Sequence, residues 1–530
     1  MCPSHLRWGM TETMSDSDAS RRMLPNIISN LVFMLANFAL GLLLVPYYLD
    51  TLGVAAYAII PVATSVTSYV VLLSDSLSST VSRYITIEVN SDTEAARMTF
   101  NTAVRGFSVI VLCAIPVVLL ISAISPSVFD ISTNTVQSVQ ALFVLILASV
   151  LVNVWSNNFI TAIYSKNRID LTNVIKTIQV VLQVVFIILF FTFARVSVSY
   201  VGLAYLLASM VYLILSVVVA HRISPEIWIG RGLFDRARFR EMTSVSGWAL
   251  VNSLGNLLFI QASLLLVNVL MGAEQGGLFG VMVMVVSAVS ALMDTLATVF
   301  TPTVYRLYSE GRIEDMNRMV ILAVKVVGVV MAMPIAFLAV FSDQILTLWV
   351  GPEYTSLSEM VLIAMVAMLC IGSITPSYPL TMVHLKIKVP GLMTFMFGVL
   401  NVILAVAVIE FTDLGLEGVM AVWALTMILK NVVFNTWYAE KVSGMDGHQI
   451  LRSMMTGYLV AVVLWIVYSV ISAVIHLPDS WMVMIFAGVV LLGVHGLFIL
   501  RFVFRDGERD MIMACMPNVI SKLLKKVVKG

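Results

Sequence analysis

Asp75 and Asp294 stand in long apolar stretches, where an ionisable group is costly and usually has a task. Asp75 belongs to a stripe with Thr64, Ser68, Ser79 and Ser82. The spacings of 4, 7, 4 and 3 put all five on one face of a helix. A face turned to hydrocarbon has no use for such a stripe, since each unsatisfied polar group there costs several kcal/mol. Either carboxylate could take a proton or a sodium ion. Either could instead form an ion pair, Asp75 with Arg83 and Asp294 with Arg306. Arg83, Arg105, Lys176, Arg306, Lys325 and Lys430 gather toward the same ends of their helices. Guanidinium groups suit bidentate phosphate recognition. For Arg105, Lys176 and Lys325 the plainer reading is anchoring at a membrane surface, with stems lying along apolar neighbours. Lys430 is roughly two turns deep, so a binding role is preferred for it. Asn30, Asn37, Asn157, Asn252 and Asn256 add donors and acceptors suited to a hydroxyl-rich ligand. Most of the serines and threonines are read as small residues that let helices approach.

The elements that position these groups follow from composition. The chain has 530 residues, 60% hydrophobic and 12% charged, with a mean hydropathy of +0.99. Such a chain is a membrane protein, and apolar runs of roughly 20 residues cross a bilayer as helices. Fourteen spans are predicted, at about 26–49, 55–81, 104–124, 137–163, 171–193, 199–220, 246–270, 278–302, 320–341, 357–381, 391–411, 415–438, 453–475 and 481–502. The net charge of +1 gives no reason to expect a nucleic-acid partner. Cys2, Cys113, Cys370 and Cys515 have neither pairing nor metal spacing. No cleavable signal peptide is evident before the first span.

The first hairpin returns 219 positions later. Gly53 maps to Gly272, Asn37 to Asn256, Ser68 to Ser287, Asp75 to Asp294, Ser79 to Thr298 and Ser82 to Thr301. A second echo pairs the Thr161–Arg168 segment with Thr381–Lys388 at an offset of 220. Lysines and arginines concentrate in alternate loops, which places both termini in the cytoplasm. Six spans precede the basic loop, so both copies enter the membrane in one direction, and a pseudo-twofold axis along the membrane normal is expected. The fold class is all-α and polytopic: fourteen transmembrane helices, two six-helix lobes around a central cavity, and two extra C-terminal helices. The expected parts are a cytoplasmic segment (1–23), an N-lobe (24–222), a basic linker (223–243), a C-lobe (244–440), spans thirteen and fourteen (441–502) and a basic tail (503–530). Spans four and ten are expected to act as hinges. The tenth carries Gly372, Pro376 and Pro379, and the fourth carries Asn153, Asn157 and Asn158.

Three short motifs carry a family resemblance. Pro46, Leu52-Gly53 and Tyr57 lie at the first turn. Pro302, Tyr305-Arg306 and Glu310-Gly311 follow span eight. Residues 345–354 (ILTLWVGPEY) precede span ten. Together they resemble the oligosaccharide and polysaccharide flippase family, of the superfamily shared with multidrug and toxic-compound extruders. Many relatives carry an acidic residue in helix seven, where this chain reads Phe259-Ile260-Gln261-Ala262-Ser263. The resemblance implies movement of a polyprenyl-linked oligosaccharide across the plasma membrane, from the cytoplasmic to the outer leaflet. It implies a monomer near polysaccharide-assembly enzymes, with a lipid-linked sugar and the bilayer as partners. No cofactor is expected, and proton or sodium coupling stays open. A cation extruder of the sister family is the main alternative. A polymerase or ligase would need large outer loops bearing carboxylates, and the outer loops here are short.

Overall fold

The computed structural model describes residues 16–129, 135–166, 168–230, 233–384, 386–445, 448–474, 480–504 and 508. They form helices joined by short turns. The helices are α1 (Asp16–Leu52), α2 (Ile59–Ser91), α3 (Thr93–Val128), α4 (Val136–Tyr164), α5 (Ile169–Phe193) and α6 (Val198–Ile223). Then come α7a (Arg236–Leu257) and α7b (Ile260–Met271), α8 (Ala273–Thr298), α9 (Ile313–Val340), and α10a (Ser358–Ile374) with α10b (Tyr378–Val383). The last are α11 (Lys388–Phe411), α12 (Gly415–Ile428), α13 (Gln449–Val474) and α14 (Trp481–Phe498). Twelve stretches among the described residues are long and apolar enough to cross a membrane. Two shorter apolar helices, Gly41–Leu52 and Trp481–Gly496, fall in the first and last expected spans.

Chain contacts divide the molecule into two compact units. One comprises Met1–Leu44, Tyr69–Ser127 and Asn134–Gly247; the other comprises Val45–Ser68, Val128–Thr133 and Trp248–Gly530. In the first, α4 packs along α6, and α5 lies on α6. Its core includes Phe100, Phe159, Ile163 and Tyr212, all nearly inaccessible. In the second, α9 packs on α10a and α13, and α12 on α10a and α11. There Gly328 meets Gly457 backbone to backbone, which brings α9 and α13 together.

The duplicated turn has one backbone in both copies. Gly53 has φ 78°, ψ 160° and Gly272 has φ 94°, ψ 172°. That conformation is essentially reserved for glycine. Each glycine starts a new helix, at Val54 and at Ala273.

Several boundaries differ from the sequence reading. Residue 83 onward was expected to leave the membrane as a loop, but α2 runs to Ser91 and α3 begins at Thr93. Asp92 alone separates them. Its Oδ1 accepts the backbone N–H of Glu94 and Ala95, both at 3.1 Å, which caps α3. The spans thus extend beyond the apolar stretch as ordinary helix, because nothing in the polar turns breaks them. The N-terminal segment likewise becomes helical from Asp16. The hinge expected in span four is absent: α4 is continuous from Val136 to Tyr164. Its asparagines bond sideways or along the helix instead of opening it, with Asn153 accepting from Gln179 at 3.0 Å. Span ten is interrupted where the hinge was expected, by a 3-10 turn at Thr375–Ser377.

The basic linker is not a free loop. Asn101 accepts the Gly230 N–H at 2.7 Å and donates to the Trp228 carbonyl at 3.2 Å. Arg105 donates to the Gly230 carbonyl at 2.9 Å, so its expected role as a surface anchor gives way to holding the linker. Arg238 pairs with Glu88 at 3.1 Å and donates to Ala95 O at 2.8 Å. Phe239 lies against Gly106 so closely that any side chain there would collide with the ring. Of the linker's basic side chains, Arg238 is thus spent on the ends of α2 and α3. In the second unit Lys325 is also taken, by Glu508 at 2.8 Å.

Candidate functional site

In the second unit, regular helix is interrupted in spans seven, ten and twelve, and polar side chains stand at each interruption. The first lies between α7a and α7b. Phe259 has φ −80°, ψ −90°, and the regular helix is interrupted at Leu258–Phe259, although the Leu258 N–H still reaches Leu254 O at 3.2 Å and Phe259 O accepts the Ser263 N–H at 3.3 Å. Broken backbone inside a membrane protein must find other partners. Asn401 on α11 supplies one for Leu258 O and adds to the Ser263 donors on Phe259 O. Its Nδ2 donates to Leu258 O at 3.1 Å and Phe259 O at 3.2 Å, and its Oδ1 accepts from Thr426 of α12 at 3.1 Å. Close approach is set by Gly255 and Gly398: a Cβ on Gly255 would sit 2.5 Å from Phe395 N. Only glycine allows α7a and α11 to cross there.

The second interruption is a π-helical turn, Leu429–Asn435, at the end of α12. Such a turn inserts one residue and re-aims the side chains around it. Lys430 emerges buried, at 6% exposure. Its Nζ donates to Asn256 Oδ1 at 3.3 Å and lies 5.2 Å from the centre of the Phe259 ring. No carboxylate of a described residue pairs with it. The ring face and the amide oxygen compensate only part of the cost of burying an ammonium.

The third is the 3-10 turn of span ten, with Pro376 within it and Pro379 just beyond. It presents Tyr378, whose hydroxyl donates to Asn431 Oδ1 at 2.9 Å. Asn435 donates to the same oxygen at 2.8 Å. Asn431 donates in turn to Met427 O at 3.0 Å. Asp294 on α8 is exposed. Among the described residues it has no hydrogen bond or ion pair. The expected Asp294–Arg306 pair is not formed: Arg306, also exposed, has Glu310 at 3.9 Å. Asn252 is half-buried one turn before Asn256.

In the first unit the structure describes less. The side chains of Asp75 and Arg83 lie outside the described residues. Asn30 and Asn37 are exposed, and Asn37 donates to Phe33 O of its own helix at 3.0 Å. Asn157 accepts from the Tyr212 hydroxyl at 3.1 Å, tying α4 to α6. That bond has a counterpart. Tyr378 stands 221 positions after Asn157, and Asn431 stands 219 after Tyr212. In each unit the fourth and sixth helices of the repeat are joined by a tyrosine–asparagine hydrogen bond, with donor and acceptor exchanged. Sequence reasoning missed Tyr212, Tyr378, Asn401 and Asn431. A search for reciprocal exchanges near the repeat offset would have found the Tyr–Asn pairs; Asn401 carried no such signal.

Multiple apolar spans, with polar groups on interrupted helices, define a multi-pass helical membrane protein. The model of polysaccharide biosynthesis proteins matches residues 23–308. The chain belongs to that family. It is 25% identical over 497 residues to the uncharacterized membrane protein EpsK of Bacillus subtilis (strain 168), covering 92% of this chain and 97% of that one. Its fold is similar to that of the lipid II flippase MurJ in an inward closed conformation. The TM-score is 0.64 at 13% identity, over 90% of this chain and 100% of that one. An inward-facing multidrug resistance MATE family transporter of the MOP superfamily also matches, with TM-score 0.57 and 16% identity over 78% and 95%. The polysaccharide-flippase resemblance read from the first turn and the two later motifs is thereby confirmed.

Proposed function

We propose that the protein carries a polyprenyl-phosphate-linked oligosaccharide from the cytoplasmic to the outer leaflet of the plasma membrane. Fourteen spans, counting Gly41–Leu52 and Trp481–Gly496, form two six-helix lobes and an added pair. The lobes rock to alternate access. The observation that carries this reading is Lys430. A buried ammonium that lacks a carboxylate partner among the described residues is strained electrostatically, and the phosphate of a lipid-linked sugar is the counter-charge it lacks. Asn252, Asn256 and the Tyr378–Asn431 pair stand near it as groups that can bond sugar hydroxyls. A lysine in this place counts against a cation extruder, whose substrate it would repel. The proposed path also takes in Asn30, Asn37, Asp75, Arg83, Asn157, Asp294 and Arg306.

The test is reconstitution in vesicles with a labelled polyprenyl-diphosphate oligosaccharide. Replacing Lys430 with Gln should lower the initial rate of translocation at least about tenfold, the scale of losing one charge-assisted contact. Lys430→Arg should retain part of the rate. Undiminished translocation by a stably folded Lys430→Gln variant would refute the reading. Repeating the assay with and without proton and sodium gradients separates ion-driven transport from passive exchange.

A further inference from the structure

The π-helical turn of span twelve has a second face. Lys430 and Asn431 point toward Asn256 and Tyr378. Val432, Val433 and Phe434 line a cavity of about 450 Å³ on the other side, closed by Trp437, His448 and Leu451. The lining is almost wholly apolar, yet it lies where span twelve ends and α13 begins. Trp437 and Val433 are 51% and 60% exposed, so the cavity opens sideways. Basic groups surround its mouth. The Lys441 ammonium sits 4.8 Å from the centre of the Trp437 ring. Arg452 is exposed, on the α13 stripe that includes His448 and Leu451. Among the described residues the acid beside the lining is Glu440, 8% exposed, whose carboxylate accepts the Ile450 N–H at 2.8 Å and lies 3.7 Å from His448 Nδ1.

From this arrangement we infer a binding site for an anionic phospholipid of the surrounding bilayer. Its phosphate meets Lys441 and Arg452, and one acyl chain enters beneath Trp437. An indole ring between an apolar groove and a cationic mouth is the arrangement of the membrane–water interface. The groove follows span twelve only from Val432 to Trp437, a rise of roughly 8 Å. That suits the top of an acyl chain at headgroup level, whereas a long prenyl tail would run on through the hydrocarbon core. A lipid seated there supports the outer face of the turn whose inner face carries Lys430. The inference does not depend on what the protein transports.

Native mass spectrometry of the delipidated full-length protein provides the test. Titration with dioleoyl-phosphatidylglycerol should show tighter retention than titration with dioleoyl-phosphatidylcholine. The double variant Lys441→Gln/Arg452→Gln should lose that preference, at roughly fivefold per basic side chain. Val433→Trp, which fills the groove from an exposed position, should weaken retention of both lipids while leaving the melting temperature near that of the parent. Equal retention of the two lipids by the parent protein would overturn the proposal, as would unchanged preference in the double variant. Displacement of phosphatidylglycerol by an equimolar polyprenyl phosphate in the parent, but not in Val433→Trp, would also overturn it and assign the groove to a carrier tail.

Discussion

Lys430 and His384 show how much a single side chain's meaning depends on its neighbours. Both could be singled out as polar groups near the membrane surface. Lys430 turns out to be buried against Asn256 and Phe259. His384 ends span ten with its ring edge-on to Tyr308, 5.1 Å between centres. Its Nε2 is buried and has no hydrogen-bond partner among the described residues. Burial first, and the Lys386 charge second, hold the His384 imidazole below its ordinary pKa of 6.5. A histidine shifted downward contributes stability above the unfolded value, and that contribution is lost as pH falls through the folded one. Melting temperatures of the parent should therefore drop between pH about 7.5 and about 5 by more than those of His384→Phe. Parallel curves for the two proteins would remove His384 from the acid response.

At the scale of elements, the break in span seven is a construction held by its neighbours. Two carbonyls left by the break are bonded by one amide, Asn401, and two glycines bring the helices close enough for that bond. Asn401→Leu keeps the volume but strips Leu258 O of its donor, while Phe259 O keeps Ser263 and the Thr426 hydroxyl keeps Val422 O and Trp423 O. It should destabilise the protein by about 1–2 kcal/mol, the scale of one buried carbonyl left without its donor. Gly398→Ala should also destabilise, because the added Cβ would stand 2.6 Å from Gly255 O. Thermal unfolding in detergent would measure both; a neutral Asn401→Leu would mean that water replaces the amide. The proline-broken span ten was visible in Pro376 and Pro379. The π turn of span twelve was not, since no residue type marks an inserted residue in an apolar helix.

At the scale of the whole molecule, loop charges predict which end of each span faces the cytoplasm. The prediction can be checked across α11 alone. Lys386 precedes it and Thr412 follows it, and both are exposed. With the four native cysteines replaced by serine, Thr412→Cys should react with a membrane-impermeant maleimide in intact cells. Lys386→Cys should react only after permeabilisation. The opposite pattern would invert the topology.

Apolar length, charge alternation and the 219-residue repeat were enough to establish a polytopic helical protein, because crossing hydrocarbon leaves the backbone few choices. Those same signals located Lys430, Asn256 and Asp294 without saying which of them meet. Packing decided that: the Gly255–Gly398 crossing and the turns at Phe259, Tyr378 and Asn431 bring Lys430 to Asn256, and leave Asp294 without a partner among the described residues. Such contacts join residues more than a hundred positions apart, and local sequence pattern carries no term for them.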